Sequence, residues 1–354
     1  MKTIENLSDI TLDLDTLQKR LHSVEAVRLA IIDFEGEITP EDSQKKYLET
    51  YGRRIGFTSE DQAKSVLWKE IRQPYLKNRV QTGRWVSSFI EPDETKRFYD
   101  RFLLKRPAEK TIEEMMDVGK SLKIGHGAIK TLKELEEKEI KVGIISGTLL
   151  PFLKGFMEKP EMKRLQPISL YAADVNVEDG LLAELQTKPY MHSQKITLMD
   201  DLIAYGLYGE GEVGVIDDGV SGIELFKAQK RIYRPIAFNT SDHLLKEISI
   251  GDSLECFIVL SDDFRSVLPL LLGKKAFECS EIKQVCEKAK YFEKRTGEVW
   301  SELITGLGNY SPETGRPENL HIDNSIYKYR QDVVSIYRDQ KNSLQPFENL
   351  FHAL

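Results

Sequence analysis

The fold of this chain is decided by the run Val27-Arg-Leu-Ala-Ile-Ile32 and the segment after it, Asp33-Phe-Glu35-Gly-Glu-Ile-Thr39. The apolar run predicts a buried β-strand, and the glycine-containing segment predicts a tight turn. Asp33 then stands at the carboxyl end of the strand, where open α/β sheets bind their ligands. A carboxylate in that place suits attack on phosphorus, with Glu35 moving protons at the leaving oxygen. The alternative is a surface aspartate that caps a turn.

Two further apolar runs also end on polar residues. Val142–Ile145 leads into Ser146-Gly147-Thr148, and Val213–Ile216 leads into Asp217-Asp218. Near-continuous apolar strands are typical of parallel sheets that helices cover on both faces. Helical patterns alternate with these strands at 127–139 and 193–207, and shorter strands are predicted at 235–238 and 256–260. The sequence therefore predicts an α/β protein with a doubly wound parallel sheet.

The pattern divides the chain into three parts. Residues 43–122 are rich in charges and follow helical spacing, which predicts an all-helical insertion after the first core strand. The α/β core then comprises residues 1–42 and 123–272. Residues 273–354 are predicted to form a helical C-terminal extension, and its last apolar residues form one face that docks onto the protein's own body or onto a partner, such as a second copy in a homo-oligomer. These apolar residues are Phe347, Leu350, Phe351 and Leu354.

Composition excludes several classes of function. The 354 residues carry a net charge of −7, and the lysine and arginine pairs alternate with acids, so no nucleic-acid partner is expected. We find no apolar run long enough to cross a membrane, so no membrane partner is expected. The three cysteines form no metal-spaced pair, which predicts reduced thiols in a cytoplasmic protein. The six scattered histidines argue against a histidine-based zinc site.

Moving a phosphoryl group onto a carboxylate requires positive charge and oriented donors. Ser146 and the backbone N–H groups around Gly147 can donate to phosphate oxygens. Lys195, in the first turn of a predicted helix, can reach both the phosphoryl oxygens and the nucleophile Asp33. Lys188 is the alternative for that role.

Two adjacent acids that end a buried strand predict a cation. Asp217 and Asp218 are costly to pack together unless positive charge neutralises them. With Asp33 and the backbone carbonyl of Glu35, they would form an oxygen cage suited to Mg²⁺. The alternative is an exposed acidic turn.

These motifs in this order resemble the haloacid dehalogenase (HAD) superfamily, and most closely its phosphoserine phosphatase-like branch. The similarity covers residues 27–272 and implies a HAD-like core with a helical cap at residues 43–122. The segment Ala172–Gly180 resembles the hairpin that precedes the lysine motif in that branch. If Asp218 is aligned with the first acid of the family's last motif, Gly222 stands where a second acid is usual. Asp217-Asp218 resembles an Asp-Asp form of that motif, which restores the missing carboxylate.

A second departure concerns Glu35, because the family usually has aspartate there. Asp-x-Glu-Gly motifs occur in enolase-phosphatases and in a phosphoserine phosphatase variant that passes phosphate to homoserine. Pro40-Glu41 resembles a Pro-Glu of that variant, so the resemblance implies that Glu41 binds a substrate ammonium group. The alternative for Glu41 is an ordinary first-turn helix acid after proline.

Together, the residues and the resemblance predict a Mg²⁺-dependent phosphatase. It would hydrolyse a small phosphomonoester, such as a phosphoserine-like substrate, through an aspartyl-phosphate. The alternatives are a phosphotransferase with the same intermediate and a non-catalytic binding or regulatory protein on this fold. Three cap arginines are candidates to bind a substrate carboxylate, namely Arg72, Arg79 and Arg84.

Overall fold

The computed structural model describes residues 2–5, 7–57, 94–165, 168–186, 193–206, 208–209, 211–219, 222–227, 233–240, 242–251 and 253–300. Within these ranges the α-helices are α1 (Leu14–Leu21), α2 (Ser43–Tyr51), α3 (Glu94–Phe102), α4 (Ala108–Ser121), α5 (Ala128–Glu137), α6 (Leu150–Met157), α7 (Ser193–Gly206), α8 (Ile223–Lys227), α9 (Asp242–Ile250), α10 (Leu268–Leu272) and α11 (Ser280–Lys288). The strands are β1 (Lys2–Ile4), β2 (Thr11–Leu12), β3 (Leu29–Asp33), β4 (Lys141–Leu149), β5 (Ser169–Ala173), β6 (Val175–Glu178), β7 (Leu181–Leu185), β8 (Val213–Asp217), β9 (Tyr233–Phe238), β10 (Cys256–Leu260), β11 (Lys290–Lys294) and β12 (Glu298–Trp300). Short 3₁₀ helices lie at Leu7–Asp9, Gly52–Ile55, Phe264–Val267 and Gly273–Glu278.

The main sheet has eight strands in the order β2-β11-β10-β9-β8-β3-β4-β5. The six strands from β10 to β5 are parallel to their neighbours, whereas β11 and β2 are added antiparallel at one edge. The chain builds the sheet outward from β3, first through β4 and β5 and later, on the other side, through β8, β9 and β10. The predicted doubly wound parallel sheet is confirmed. Because the direction of winding reverses between β3 and β8, a ligand site is expected at their carboxyl ends.

Both faces of the central strand are covered. All five residues of β3 are buried, and successive side chains point to opposite faces. Ile31 packs in a cluster with Met199 of α7. Ile32 belongs to the larger core on the other face, together with Leu132 of α5. This burial on two sides is the physical reason for the near-continuous apolar sequence of the strand.

The described part of residues 43–122 is helical and packs through aromatic rings. The Tyr47 ring of α2 lies 6.2 Å from that of Phe98 in α3 and 6.0 Å from that of Phe152 in α6. Residues 58–93, which include the three candidate cap arginines, lie outside the described residues. The boundaries of the predicted cap remain a prediction.

The small hairpin before the lysine motif is formed by β6 and β7. Asp179 and Gly180 turn it, with φ values of 51° and 75°. Positive φ at both central positions is the requirement of a type I′ turn, which Asp-Gly satisfies. The turn predicted at these two residues is confirmed.

Residues 273–300 differ from the predicted helical extension. α11 is followed by β11, which pairs antiparallel with β10, and by β12, which pairs parallel with β1. The sequence of β11 obscured the strand because it contains buried charged residues. One of them, Glu293, is only 3% exposed and is paired with Arg20 and Arg295. Residues 301–354, including the apolar face predicted near the C-terminus, lie outside the described residues.

In the parts of the chain that the structure describes, we find no helix that combines the length and the apolar character needed to span a membrane.

Candidate active site

The carboxyl ends of three neighbouring strands bring the predicted site residues together. β3 is paired in register with β8 on one side and with β4 on the other. Asp33 is the last residue of β3, and Asp217 is the last residue of β8. In the pairing of β3 with β4, Asp33 lies opposite Ile145, and Ile145 directly precedes Ser146. The sheet register alone therefore places these polar residues at one edge.

Lys195 connects the two strand-end carboxylates. It lies in the first turn of α7, and its side chain is only 1% exposed. Its Nζ atom donates to Oδ2 of Asp33 at 3.1 Å and to Oδ2 of Asp217 at 2.5 Å. Burial acts to lower the pKa of Lys195, but the charges of Asp217 and Asp33 outweigh it and raise that pKa above its usual value. Lys195 is therefore a fixed positive charge beside the predicted nucleophile; the alternative, Lys188, lies outside the described residues.

The carboxylates of this site are crowded. Burial raises the pKa of Asp33, Lys195 opposes the rise, and Asp218 adds to it. Burial likewise raises the pKa of Asp217, to about 7, with Lys195 again opposing. One lysine therefore does not balance the negative charge that the fold collects here.

Asp217 fills the space next to Gly222. A Cβ atom at position 222 would lie 2.3 Å from the carboxyl group of Asp217, so no side chain fits there. Asp217 also accepts a hydrogen bond from the Gly219 N–H group at 2.9 Å. The resembled family often has a second acid at the position of Gly222. In this structure the carboxylate of Asp217 lies next to that position.

Asp218 faces the turn after β3. Gly36 in that turn has φ +116°, and a Cβ atom there would lie 2.4 Å from Oδ2 of Asp218. Both the backbone conformation and the close approach require glycine. Carboxylate oxygens of Asp218, Asp33 and Glu37 lie within 4.8 Å of one another.

Glu37 is the residue that sequence reasoning missed. It is 2% exposed, and among the described residues neither of its carboxyl oxygens has a hydrogen-bond partner. Burial raises the pKa of Glu37 well above its usual value, and Asp218, Asp33 and Asp217 raise it further. In the sequence, Glu37 is a third acid in the turn, four residues after Asp33, and this could have marked it as a site residue. An acid in a glycine turn is usually solvated, so its burial could not be expected from the sequence.

The side chain of Glu35 is bonded to the first residue of α2. Its Oε1 atom accepts from the backbone N–H of Ser43 at 3.0 Å and from the Ser43 hydroxyl at 2.6 Å. The Ser43 hydroxyl also lies 2.6 Å from that of Thr148 in β4. The predicted roles of Glu35, as acid/base through its side chain and as metal ligand through its carbonyl, remain predictions.

Ser146 and Gly147 lie where the pairing of β4 with β5 is irregular. The register shifts between Ile145 and Leu149, which frees this segment from regular sheet geometry. Ser146 is 2% exposed, and its Oγ atom accepts from the Thr148 N–H at 3.1 Å. A hydroxyl that accepts in this way can still donate its own hydrogen to an anion.

Glu41, predicted to bind a substrate ammonium group, is buried and already bonded within the chain. One carboxyl oxygen accepts from the backbone N–H of Lys123 at 2.6 Å, and the other lies 3.3 Å from Nζ of Lys46. The structure thus gives Glu41 a role in joining the segment after β3 to the segment before α5. Its predicted substrate role is not tested by these contacts.

The donor set fits a divalent cation. Four buried carboxyl groups, those of Asp33, Glu37, Asp217 and Asp218, meet here, and the positive charge of Lys195 is paired with two of them, Asp33 and Asp217. Several ionised carboxylates are stable together away from water only when a cation or protons neutralise them. Oxygen ligands of this kind suit Mg²⁺. Asp33, Asp218 and Glu37 are the side chains that could hold it.

No model of a known protein family matches this sequence, and no curated protein matches it either. In fold, the chain is similar to phosphoserine phosphatases and to a hydrolase of the HAD family. A substrate-bound phosphoserine phosphatase complex is 17% identical with a TM-score of 0.47, and the match covers 69% of this chain and 98% of that chain. A phospho-aspartyl intermediate analogue of phosphoserine phosphatase is 17% identical with a TM-score of 0.46, over 69% and 98% of the two chains.

The HAD family hydrolase is from Salmonella enterica serovar Typhi. It is 14% identical with a TM-score of 0.45, and the match covers 66% of this chain and 74% of that chain. At such low identity a likeness concerns the fold alone, so it assigns neither a substrate nor a metal to this chain.

Proposed function

We propose that this protein is a HAD-type phosphatase that hydrolyses a small phosphomonoester through an aspartyl-phosphate on Asp33 and requires Mg²⁺. The observation that carries the proposal is the bridge from Lys195 to Asp33 and Asp217, with Asp218 beside Asp33 at the carboxyl ends of β3 and β8. A nucleophilic carboxylate at this place needs an adjacent positive charge, because its substrate is also an anion.

In the first step, a carboxylate oxygen of Asp33 attacks phosphorus, and the bond from phosphorus to the ester oxygen breaks. Glu35 donates a proton to the leaving oxygen, while Lys195 offsets charge on the transferred group. The Ser146 hydroxyl and the N–H of Gly147 donate to phosphate oxygens. A bound Mg²⁺ would supply further charge neutralisation and polarise the phosphoryl group.

In the second step, water attacks the phosphorus of the aspartyl-phosphate. Glu35 accepts a proton from that water, the bond from phosphorus to Asp33 breaks, and inorganic phosphate leaves. The two bonds from Ser43 to Oε1 support this role for Glu35, because a proton-transfer group must be held in one orientation.

We further propose that the substrate resembles phosphoserine. This proposal rests on the resemblance of Pro40-Glu41, and an ammonium group would have to share Glu41 with Lys46 and the Lys123 N–H. We also propose a cytoplasmic location, which the free thiols of Cys256, Cys279 and Cys286 support.

The test is phosphate release from a panel of phosphomonoesters that includes phosphoserine, with Mg²⁺ and with a chelator. We expect release that disappears in Asp33→Asn and with chelator. Asp179→Asn is the matched control, because it makes the same chemical change in the β6–β7 turn, where asparagine tolerates the positive φ. The control variant should keep the rate of the wild type.

Equal release by wild type and Asp33→Asn would overturn the proposed nucleophile. Release that rises only when an acceptor alcohol is added, with formation of the phosphorylated alcohol, would identify a phosphotransferase instead. Absence of any turnover in the wild type would favour a binding protein.

A further inference from the structure

Glu37 is held inside the acidic cluster by the backbone of the turn. The N–H groups of Ile38 and Thr39 both donate to the carbonyl of Phe34, at 3.1 and 3.0 Å, and the N–H of Gly36 donates to the carbonyl of Thr39 at 2.8 Å. Phe34 is fully buried, with its ring 5.0 Å from the ring of Phe156. The turn is therefore fixed to the core, and the direction of the Glu37 side chain follows from it.

Glu37 is buried without a hydrogen-bond partner in the part of the chain that the structure describes, although a buried carboxylate ordinarily has one. Glutamate is almost never fully buried unless it is paired. Glu37 is 98% removed from solvent, given its 2% exposure, and both of its oxygens are without hydrogen bonds among the described residues. Carboxylate oxygens of Asp218 and Asp33 lie within 4.8 Å of a Glu37 oxygen, and their charges raise the pKa of Glu37, whereas Lys195 lowers it.

A cation between these carboxylates would satisfy all three at once. Oxygens of Asp33, Glu37 and Asp218 lie within 4.8 Å of one another, and a hard cation takes carboxylate ligands at about 2.0–2.6 Å. Two ligands on opposite sides of an ion are therefore about 4–5 Å apart, which is the scale of this cluster.

We propose that Glu37 is a direct side-chain ligand of the divalent cation, together with Asp33 and Asp218. The inference rests on the proposed function, which supplies the metal, and it adds one ligand to the metal site. With three carboxylate side chains in place of two, the site gains affinity for the cation. The side chain of Glu35 remains with Ser43, outside the metal's ligand set.

The experiment measures metal binding directly, so it does not depend on activity. Full-length protein freed of metal is titrated with Mg²⁺ and with Mn²⁺ by calorimetry, and melting is followed with and without each ion. Glu37→Gln keeps the shape of the side chain and resembles its protonated form, so it removes only the negative ligand. We expect its affinity to fall about 10- to 100-fold or more, and the stabilisation by metal to shrink accordingly.

Glu114→Gln is the matched control. Glu114 is also a buried glutamate, but it is bonded to Tyr47 and Arg54. Its replacement should leave metal affinity unchanged. Without metal, Glu37→Gln should melt no lower than wild type, because the neutral amide adds no charge to the cluster. An unchanged melting temperature without metal would show that a loss of metal affinity does not come from misfolding.

The outcomes separate the inference from the proposed function. Metal affinity that is equal in Glu37→Gln and wild type overturns the inference, even if phosphate release depends on Mg²⁺. Metal affinity that depends on Glu37, in a protein that releases no phosphate, upholds the inference and overturns the phosphatase. A wild-type protein that binds neither ion overturns both.

Discussion

Ser43 holds Glu35 with two hydrogen bonds to the same oxygen, one of 2.6 Å from its hydroxyl and one of 3.0 Å from its backbone N–H. Ser43 is the first residue of α2, and Glu35 lies in the turn after β3. Since the Ser43 hydroxyl donates to Glu35, it accepts from the Thr148 hydroxyl 2.6 Å away. The start of the helical insertion is thereby connected to the group that we propose moves the proton.

Ser43→Ala removes one of these two bonds and keeps the backbone bond. We expect kcat to fall about tenfold with KM nearly unchanged, because a looser Glu35 affects proton transfer rather than substrate binding. Steady-state kinetics on the best substrate measures this. Ser121→Ala, which removes a hydroxyl bonded to the Val118 carbonyl in α4, should leave kcat as it is. Ser43→Thr should restore much of the rate; a rate that Ser43→Ala leaves unchanged would contradict the prediction.

Gly36→Ala should damage the metal site. A methyl group there would overlap the Asp218 carboxylate and adopt φ +116°. Gly56→Ala is the control: it has a similar φ of +99°, but nothing lies within 4 Å of its added methyl group. Both variants carry a strain of about 1–3 kcal/mol in the free energy of unfolding. Metal affinity, measured by calorimetry, should fall only in Gly36→Ala, and an equal loss in both variants would refute this.

Lys195→Met should destabilise the protein by about 3–5 kcal/mol, because it leaves buried carboxylates without their positive partner. Asp217→Asn in the same chain should recover part of that loss, since it removes one of those charges. Urea unfolding of the two single variants and the double variant, without metal, gives the coupling free energy. Additive effects would mean that the 2.5 Å contact from Lys195 to Asp217 contributes no coupling.

Asp263 should make stability depend on pH. Burial acts to raise the pKa of Asp263, but hydrogen bonds from Arg265 outweigh it and hold that pKa below its usual value. A lowered folded-state pKa stabilises above the unfolded value of about 3.9, and the contribution disappears as pH falls through the folded pKa. Asp263→Asn should lose about 1–3 kcal/mol at neutral pH and flatten the dependence below about pH 5.

Asp262→Asn is the control for that measurement, because the neighbouring Asp262 is exposed. Denaturant unfolding at a series of pH values would compare the two variants. If they lost the same stability at neutral pH, the ion pair with Arg265 would not be the cause.

The sequence predicted those parts of the site that depend on one strand and the residue after it. Asp33 and Asp217 end buried strands, and their meeting follows from parallel register. Lys195 was predicted from its place at a helix start. Its contacts with Asp33 and Asp217 join residues that are far apart in sequence, so no local sequence pattern could predict them.

Three features escaped prediction for physical reasons. Glu37 has the sequence context of a solvated turn acid, but in the fold it lies beside Asp218, which is 181 residues away in sequence. Likewise, β11 contains the buried Glu293, which is paired with Arg20 and Arg295, and the buried Lys294, whose Nζ lies over the ring of Trp300. Ser43 could not be connected to Glu35 from sequence, because the bond requires the turn and the helix to be in place.

The two strands after residue 289 define where this protein can be shortened. A chain that stops at residue 272 lacks β11, so β10 would become an exposed edge and β2 would lose its neighbour. An open edge recruits other chains, so such a fragment should aggregate. A chain that stops after residue 300 keeps both strands and the pairing of β12 with β1. A truncation after residue 300, and not one near residue 272, therefore keeps every strand that the structure describes.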